Sequence, residues 1–174
     1  EMFSLNEEGT WFIQHSRPLV ISNDLFYRFE EKSIPFLSNI SFERSIDYVW
    51  GELDTHRYNW WTASADSARQ QFIESSHHIM IREDDDWKKV GNKHLNRYGL
   101  GRIIDAESLD NLGEIIFEIE SFFHPSIFCG ILLACWERAY GKKGKLFLTS
   151  KEEVFFVKIS SSHDTQPLNI NRVS

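Results

Sequence analysis

The apolar segment from Ile127 to Trp136 constrains the fold more than any other part of the sequence. Wound as a helix, it is hydrophobic on nearly every side, which is typical of a helix that is buried all round. It is far too short to cross a membrane, which takes about 20 residues. We expect Ser126 to cap this helix and Gly141 to end it, so residues 127–140 should be the most buried element.

Two further patterns are strong enough to predict elements on either side of this segment. Residues 146–149 and 154–159 are rich in β-formers and are separated by a short polar stretch, which predicts a C-terminal β-hairpin. Residues 109–123 carry apolar side chains at helical spacing, which predicts a helix that Pro125 stops.

Shorter patterns predict the remaining elements. The predicted helices lie at residues 25–31, at 42–53 after Ser41, and after Ser64; the predicted strands lie at 10–14, 18–21, 78–82 and 102–104; residues 88–102 form a glycine-containing loop. The fold class that follows is α+β. We expect a single compact domain over residues 1–160, with several helices packed on a mainly antiparallel sheet and a polar tail over 161–174.

The cysteines and the first residues of the sequence indicate in which cellular compartment the protein is expected. Cys129 and Cys135 are the two cysteines among 174 residues, and both lie in the apolar segment, where their helical spacing prevents a disulfide within the helix. The sequence shows no basic start followed by an apolar signal core. These features favour a reducing, cytoplasmic location.

The net charge is −7, and it is distributed unevenly along the chain. Residues 1–87 hold 16 Asp and Glu against 7 Lys and Arg, a charge of −9, whereas residues 88–174 carry +2. An acidic half argues against direct nucleic-acid binding, which needs a basic surface. It fits rapid, electrostatically steered capture of a positively charged protein, although moderate negative charge also serves solubility.

Two acidic and aromatic clusters are the candidate partner-binding residues. The first consists of Glu83, Asp84, Asp85 and Asp86, followed by Trp87; the second consists of Glu52, Asp54 and Trp60. Carboxylates raise association rates with cationic partners, and tryptophans are frequent anchors at interfaces. The alternative for the first cluster is a plain surface turn, because adjacent carboxylates repel one another and must be solvated.

The sequence carries no recognisable catalytic or metal-binding motif. His77 and His78 lie near the acidic run, but neighbouring residues on a strand point to opposite faces, so we expect no metal site. Both cysteines are expected to serve the core. The prediction is therefore a protein without catalytic residues or cofactors. Two alternatives remain open: an acyl- or nucleotidyl-transferase-like enzyme using the glycine-containing loop Tyr98 to Arg102, and a non-catalytic regulatory dimer.

In overall character the chain resembles the immunity proteins of bacterial contact-dependent growth inhibition systems and, more broadly, the antidotes of polymorphic toxins. The resemblance consists of an acidic α+β domain with many aromatic residues, and no motif carries it. It implies a protein that binds one cognate basic toxin, commonly a nuclease, and blocks its activity.

Overall fold

The described residues form four α-helices, a five-stranded sheet and a small two-stranded sheet. The structure is a computed structural model, and it describes residues 4–5, 11–12, 21–37 and 47–162. The strands are β1 (Ser4–Leu5), β2 (Trp11–Phe12), β3 (Tyr48–Val49), β4 (Gly101–Ser108), β5 (Ile115–Phe122), β6 (Gly144–Lys151) and β7 (Val154–Ser161). The helices are α1 (Asn23–Leu37), α2 (Thr55–Glu74), α3 (Asp86–His94) and α4 (Pro125–Tyr140), with a 3-10 turn at Asn96–Tyr98.

The main sheet has the strand order β3-β6-β7-β5-β4. β3 pairs with β6 in parallel, and the other neighbours pair antiparallel. β6 and β7 form the predicted C-terminal hairpin, with Lys151 opposite Val154. The predicted α+β class, with helices packed on a mainly antiparallel sheet, is confirmed. Among the helices of the described residues, none is both long and apolar enough to span a bilayer.

The core lies between the sheet and helices α2 and α4. α4 is buried along most of its length, as predicted, and Cys129 and Cys135 are fully enclosed in it. The crossing of α2 over α4 is so close that a Cβ on Gly130 would lie 2.2 Å from the carbonyl oxygen of Ala65. Gly130 therefore permits a backbone approach that no larger residue would allow.

The predicted helix over residues 109–123 is wrong. Residues 115–122 form the inner strand β5, and its inward side chains Ile115, Phe117 and Ile119 are buried at every second position. The apolar residues of this isoleucine-rich segment fit the spacing of a helix and also the alternation of a strand. The segment forms a strand because it pairs with β4 and β7 on its two sides. The preceding turn is held by Asp110, whose carboxylate accepts the amides of Leu112 and Glu114.

The loop predicted over residues 88–102 is also wrong for its first half, which belongs to α3. Gly91 suggested a loop, but it lies inside the helix, where a Cβ would meet Ile103 of β4 at 2.8 Å. The glycine thus lets α3 pack closely on the sheet. The strand predicted at 102–104 is part of the longer β4.

Several shorter predictions also change. Residues 47–53 are not helical: Tyr48–Val49 is a strand, and the rest of that predicted helix, residues 42–46, lies outside the described residues. Residues 78–82 form no strand, and Ser64 lies in the middle of α2, whose N-cap is Asp54. The N-cap of α4 is His124, with Pro125 at the first helical position, so Ser126 is not the cap.

At the chain ends the outcomes are mixed. Trp11–Phe12 lies within the strand predicted at 10–14, and α1 contains the helix predicted at 25–31 and extends beyond it. Ile21 is not in a strand, and residues 18–20 of that prediction lie outside the described residues. The same holds for residues 163–174 of the predicted tail, whereas Ser161 belongs to β7.

Candidate functional site

A cavity of about 610 Å³ opens between α1, α2, α4 and the segment that follows α3. Helix α2 turns one face toward it, because Trp60, Ser64, Ala68 and Phe72 recur at four-residue intervals and so lie above one another. The remaining lining residues come from all four elements and their flanks: Phe26, Phe29, Ser67, Gln71, Ser75, His77, His94, Tyr98, Leu100, Ile127 and Ile131.

Aromatic and aliphatic side chains form most of the wall. Phe26 and Phe29 of α1 contact the Trp60 ring at centroid distances of 5.6 and 6.4 Å. Ile127 and Ile131 lie one turn apart on α4 and face the same space. Phe29 is 61% exposed and stands at the rim, so the cavity has an apolar entrance as well as an apolar wall.

His94 is a buried polar residue in the cavity lining. It lies at the last turn of α3, is 7% exposed, and its ring meets the Phe72 ring edge-on at 5.2 Å. Burial, together with the nearby charges of His77 and Lys93, lowers the pKa of His94 to about 4. The imidazole is therefore neutral at physiological pH and presents one donor and one acceptor.

Several polar side chains that line the cavity have no hydrogen-bond partner among the described residues. Neither ring nitrogen of His94 makes a hydrogen bond there, and the same is true of the Trp60 indole N–H and the Ser64 hydroxyl. Of the described side-chain atoms, only Oη of Tyr48 and Nε1 of Trp87 are both fully buried and unpaired, so the unpaired groups of the cavity lining are reached by solvent and can bond to water or to a ligand.

Among the described residues that line the cavity there is no Asp, Glu, Lys or Arg, and the polar members are serine, glutamine, tyrosine and the two histidines His77 and His94. A charged group entering this space would lose its hydration without meeting a carboxylate, a lysine or an arginine, which is costly. The cavity is thus suited to a neutral molecule.

A buried polar cluster fixes α1 over the cavity. Glu30 of α1 is fully buried and accepts hydrogen bonds from His124 at 2.9 Å and from the Trp61 indole at 2.7 Å. Burial by itself would raise the pKa of the Glu30 carboxyl, but these bonds and the Arg57 charge hold it below its ordinary value. The ionised carboxylate therefore tethers α1, which places Phe26 and Phe29 on the wall.

The connectivity of this cluster is that of a serine hydrolase triad, but its role is structural. The Ser126 hydroxyl lies 2.8 Å from Nδ1 of His124, and Glu30 lies at Nε2. Nδ1 also accepts the backbone N–H of Ser126, which is the helix cap of α4. Because Ser126 and His124 are completely inaccessible, no substrate can reach the hydroxyl.

Most of the first predicted patch is used inside the protein. Trp87 is fully buried against Phe117, so it is not the exposed anchor that was predicted. Asp84 accepts the backbone N–H and the hydroxyl of Ser108 at 2.9 and 2.5 Å, which ties the start of α3 to β4.

The remaining acids of this patch lie at the surface beside basic residues. Asp86 accepts the amides of Arg82 and Glu83 and pairs with Lys89 at 2.7 Å, and these contacts, led by Lys89, lower its pKa to about 2. Asp85 pairs with Lys88 at 3.0 Å. Glu83 is exposed. Lysines thus offset much of the local negative charge.

The second predicted patch is not one surface. Asp54 caps α2 by accepting the Arg57 amide at 3.0 Å. Trp60 is 6% exposed and lines the His94 cavity, whereas Glu52 is exposed and borders a different cavity. The structure therefore separates three residues that are close in sequence.

The glycine-containing loop at Tyr98 to Arg102 has a structural explanation. The amides of Tyr98, Gly99 and Leu100 already donate to the carbonyls of Leu95 and Asn96, which leaves none of these three for a phosphate. At Gly101 a Cβ would lie 2.6 Å from the Ser121 carbonyl oxygen, so close packing requires glycine there. Across the described ranges, no group of three or more His, Cys, Asp or Glu residues is placed to hold a metal.

Apart from Trp60 and Tyr98, which were predicted to have other roles, the residues of the His94 cavity were not identified from the sequence. His94 lay in a segment predicted to be a loop, and the polar members of the α2 face concealed its periodicity. The one available signal was the spacing of Trp60, Ser64, Ala68 and Phe72, which is meaningful only once residues 55–74 are known to be helical.

Comparison with known proteins supplies a fold relationship. No protein-family model and no curated protein matches the chain. Among solved structures, the chain is similar to the phenol-responsive sensory domain of the transcription activator PoxR, crystallised with phenol. The alignment has a TM-score of 0.54 and 10% identity, and it covers 92% of this chain and 85% of that one. At this identity the likeness concerns the fold.

Proposed function

We propose that this protein is a ligand-binding sensory domain that takes a small neutral aromatic molecule bearing a hydroxyl group into the His94 cavity. The observation that carries the proposal is the pairing of a largely apolar wall, without acids, lysine or arginine among the described residues, with the buried His94, whose ring nitrogens are unpaired among the described residues. Pockets that bind small molecules typically combine an apolar lining with a few convergent polar groups.

The size and chemistry of the cavity support this class of ligand. About 610 Å³ lies within the range of small-molecule sites, roughly 300–1,000 Å³. An aromatic ring would replace water against Phe26, Trp60 and Phe72, and a hydroxyl would donate to or accept from His94.

The structural neighbour gives independent support for the same class. Its sensory domain responds to phenol, a neutral ring with one hydroxyl group. This chain is similar in fold, and the lining of its own cavity suits a neutral ring with one hydroxyl group, which makes phenols the first ligands to test.

Isothermal titration calorimetry with phenol, toluene and benzoate tests the proposal. We expect phenol to bind best, toluene about tenfold more weakly because it cannot bond to His94, and benzoate not at all because its charge is unpaired in the cavity. Phenol should also raise the melting temperature, since it binds the folded state alone.

A pair of variants separates the cavity from general effects on the surface. His94→Phe removes the ring nitrogens and narrows the cavity, so it should weaken phenol binding about tenfold or more. His78→Phe changes an exposed histidine outside the lining and should leave binding unchanged. Equal binding of all three compounds, or equal affinity of the two variants, would contradict the proposal.

The toxin-neutralising role stays a prediction. Of the first cluster, Glu83 and Asp85 remain exposed, whereas Trp87 is buried and Asp84 and Asp86 hold the start of α3; of the second cluster, Glu52 and Asp54 remain exposed. Charge reversal at Glu83 and Asp85 should slow association with a basic toxin and flatten its salt dependence if this surface binds one.

A further inference from the structure

A second cavity, of about 520 Å³, lies beside the β6–β7 hairpin and the start of α4. Its walls include the rings of Trp50, Trp61 and Phe155, and the polar residues Glu52, Thr149 and Ser150 complete its edge. The Trp50 and Trp61 rings meet edge to face at a centroid distance of 5.5 Å and an angle of 81°. The two indole planes therefore form a corner, and Glu52 lines the same cavity.

The indole N–H groups of this corner are already bonded within the protein. Nε1 of Trp50 donates to the Thr62 hydroxyl at 3.0 Å, and Nε1 of Trp61 donates to Glu30 at 2.7 Å. Neither N–H is left for a ligand in the cavity. Trp50 also stacks on Tyr48 at a centroid distance of 5.0 Å and is 4% exposed, so Trp61 and Phe155, which are half-buried, are the rings whose π-electron density is accessible to a positive charge.

Glu52 gives the cavity a negative charge. Within the described part of the chain its carboxylate has no ion-pair or hydrogen-bond partner, and it is exposed. Among the described residues that line this cavity there is no Lys, Arg or His. The negative charge of Glu52 is thus not offset within the described lining, whereas the described lining of the His94 cavity contains no carboxylate.

We propose that this second cavity binds a free organic cation, with a quaternary trimethylammonium group as the best-fitting form. Such a group has no N–H to satisfy, so it loses little when aromatic rings replace its hydration, and aromatic corners with a carboxylate are suited to it. The site is independent of the His94 cavity and does not rest on the function proposed for it.

Titration with choline and with 3,3-dimethylbutan-1-ol tests the proposal directly. The two compounds have nearly the same shape, but the second carries carbon in place of the charged nitrogen. We expect choline to cause saturable shifts of the Trp50 and Trp61 indole signals in ¹H–¹⁵N NMR spectra and to bind at least tenfold more tightly than the neutral alcohol.

Three variants complete the test. Glu52→Gln should weaken choline binding about five- to tenfold and leave the weak binding of the alcohol unchanged. Phe155→Leu keeps an apolar side chain but removes the ring, so it should reduce the preference for choline over the alcohol. Glu107→Gln removes an exposed carboxylate from β4, at the other edge of the sheet, and should have no effect. Equal binding of the two compounds, no binding of choline at 50 mM, or an unchanged affinity in Glu52→Gln would overturn the proposal.

Discussion

Polar side chains on the two sides of α2 differ in whether they have hydrogen-bond partners within the protein. On the side facing α4, the buried Arg69 donates to both carboxylate oxygens of Glu137 at 2.9 and 2.6 Å and to Asp47 at 3.0 Å. Glu137 also accepts the Gly144 amide at 3.0 Å, so the start of β6 joins the same cluster. On the cavity side, the polar groups of Ser64 and His94 have no partner within the described residues.

This difference distinguishes polar residues that stabilise the fold from polar residues that are available to bind a ligand. Groups that complete one another inside the protein hold elements together, and their removal should be measured as lost stability. Groups left open toward a cavity contribute little to folding and are available to a ligand. Buried polar residues therefore have to be judged by their partners, since burial is common to both sides.

The largest effect on stability should follow from removing Arg69, whose hydrogen bonds join α2 to α4. Arg69→Met would leave the Glu137 carboxylate buried without its cation, and we expect a loss of about 3–5 kcal/mol in the free energy of unfolding, measured with urea. The control is Arg102→Met, which breaks the exposed ion pair with Glu120 and should cost less than about 1 kcal/mol. Equal losses would show that Arg69 is no more important than a surface residue.

A smaller effect on stability should follow from the protonation of His94 in the cavity. The folded-state pKa of His94 is about 4, below the value of 6.5 expected for an unfolded chain. Between these values the unfolded state binds a proton that the folded state does not, so stability decreases as the pH falls. From pH 6.5 to 4.5 the loss should be about 2 kcal/mol.

Restricting this measurement to pH 4.5 and above isolates His94 from Glu30. The pKa of Glu30 is lowered on folding, so its contribution is lost only as the pH falls below about 4.5. Urea unfolding of His94→Phe should show a flatter pH dependence over this window than the unchanged protein. An identical slope in both proteins would mean that His94 is not the buried neutral group described.

The smallest effect concerns two neighbouring acids at the start of α3. Oδ2 of Asp86 accepts two backbone amides, and Asn would keep an oxygen that accepts them, so Asp86→Ala is the variant that should lower the free energy of unfolding. Asp85 makes only exposed ion pairing with Lys88, so Asp85→Ala should change stability by less than about 0.5 kcal/mol. Thermal or urea unfolding distinguishes the two, and a reversed order would refute the assignment of Asp86 as the structural acid.

The sequence predicted the fold class and the elements whose signals are local. The α4 helix, its end at Gly141 and the β6–β7 hairpin follow from apolar runs, a glycine and a polar turn, each read within a few residues. The prediction was wrong for β5, where the apolar residues fit both helical and strand spacing. It was also wrong for the start of α3, where Gly91 allows close packing against Ile103 and does not mark a loop. In those cases the deciding contacts come from elements distant in sequence.

The candidate sites show the same limit more strongly. Trp60 and Glu52 are eight positions apart and were grouped by their chemistry, yet they border different cavities. His94 gained its importance from Phe72, His77 and the burial imposed by packing, none of which its own neighbours in sequence reveal.

By itself, the sequence determined that residues 127–140 would be a buried helix and that the chain would end its sheet in a hairpin, because hydrophobic pattern and turn chemistry act locally. Only the tertiary structure decided which polar side chains would be paired and which would be left facing a cavity. That outcome depends on the position of α1 and α3 relative to α2, since partners such as Glu30 and His124 are brought together across long stretches of chain.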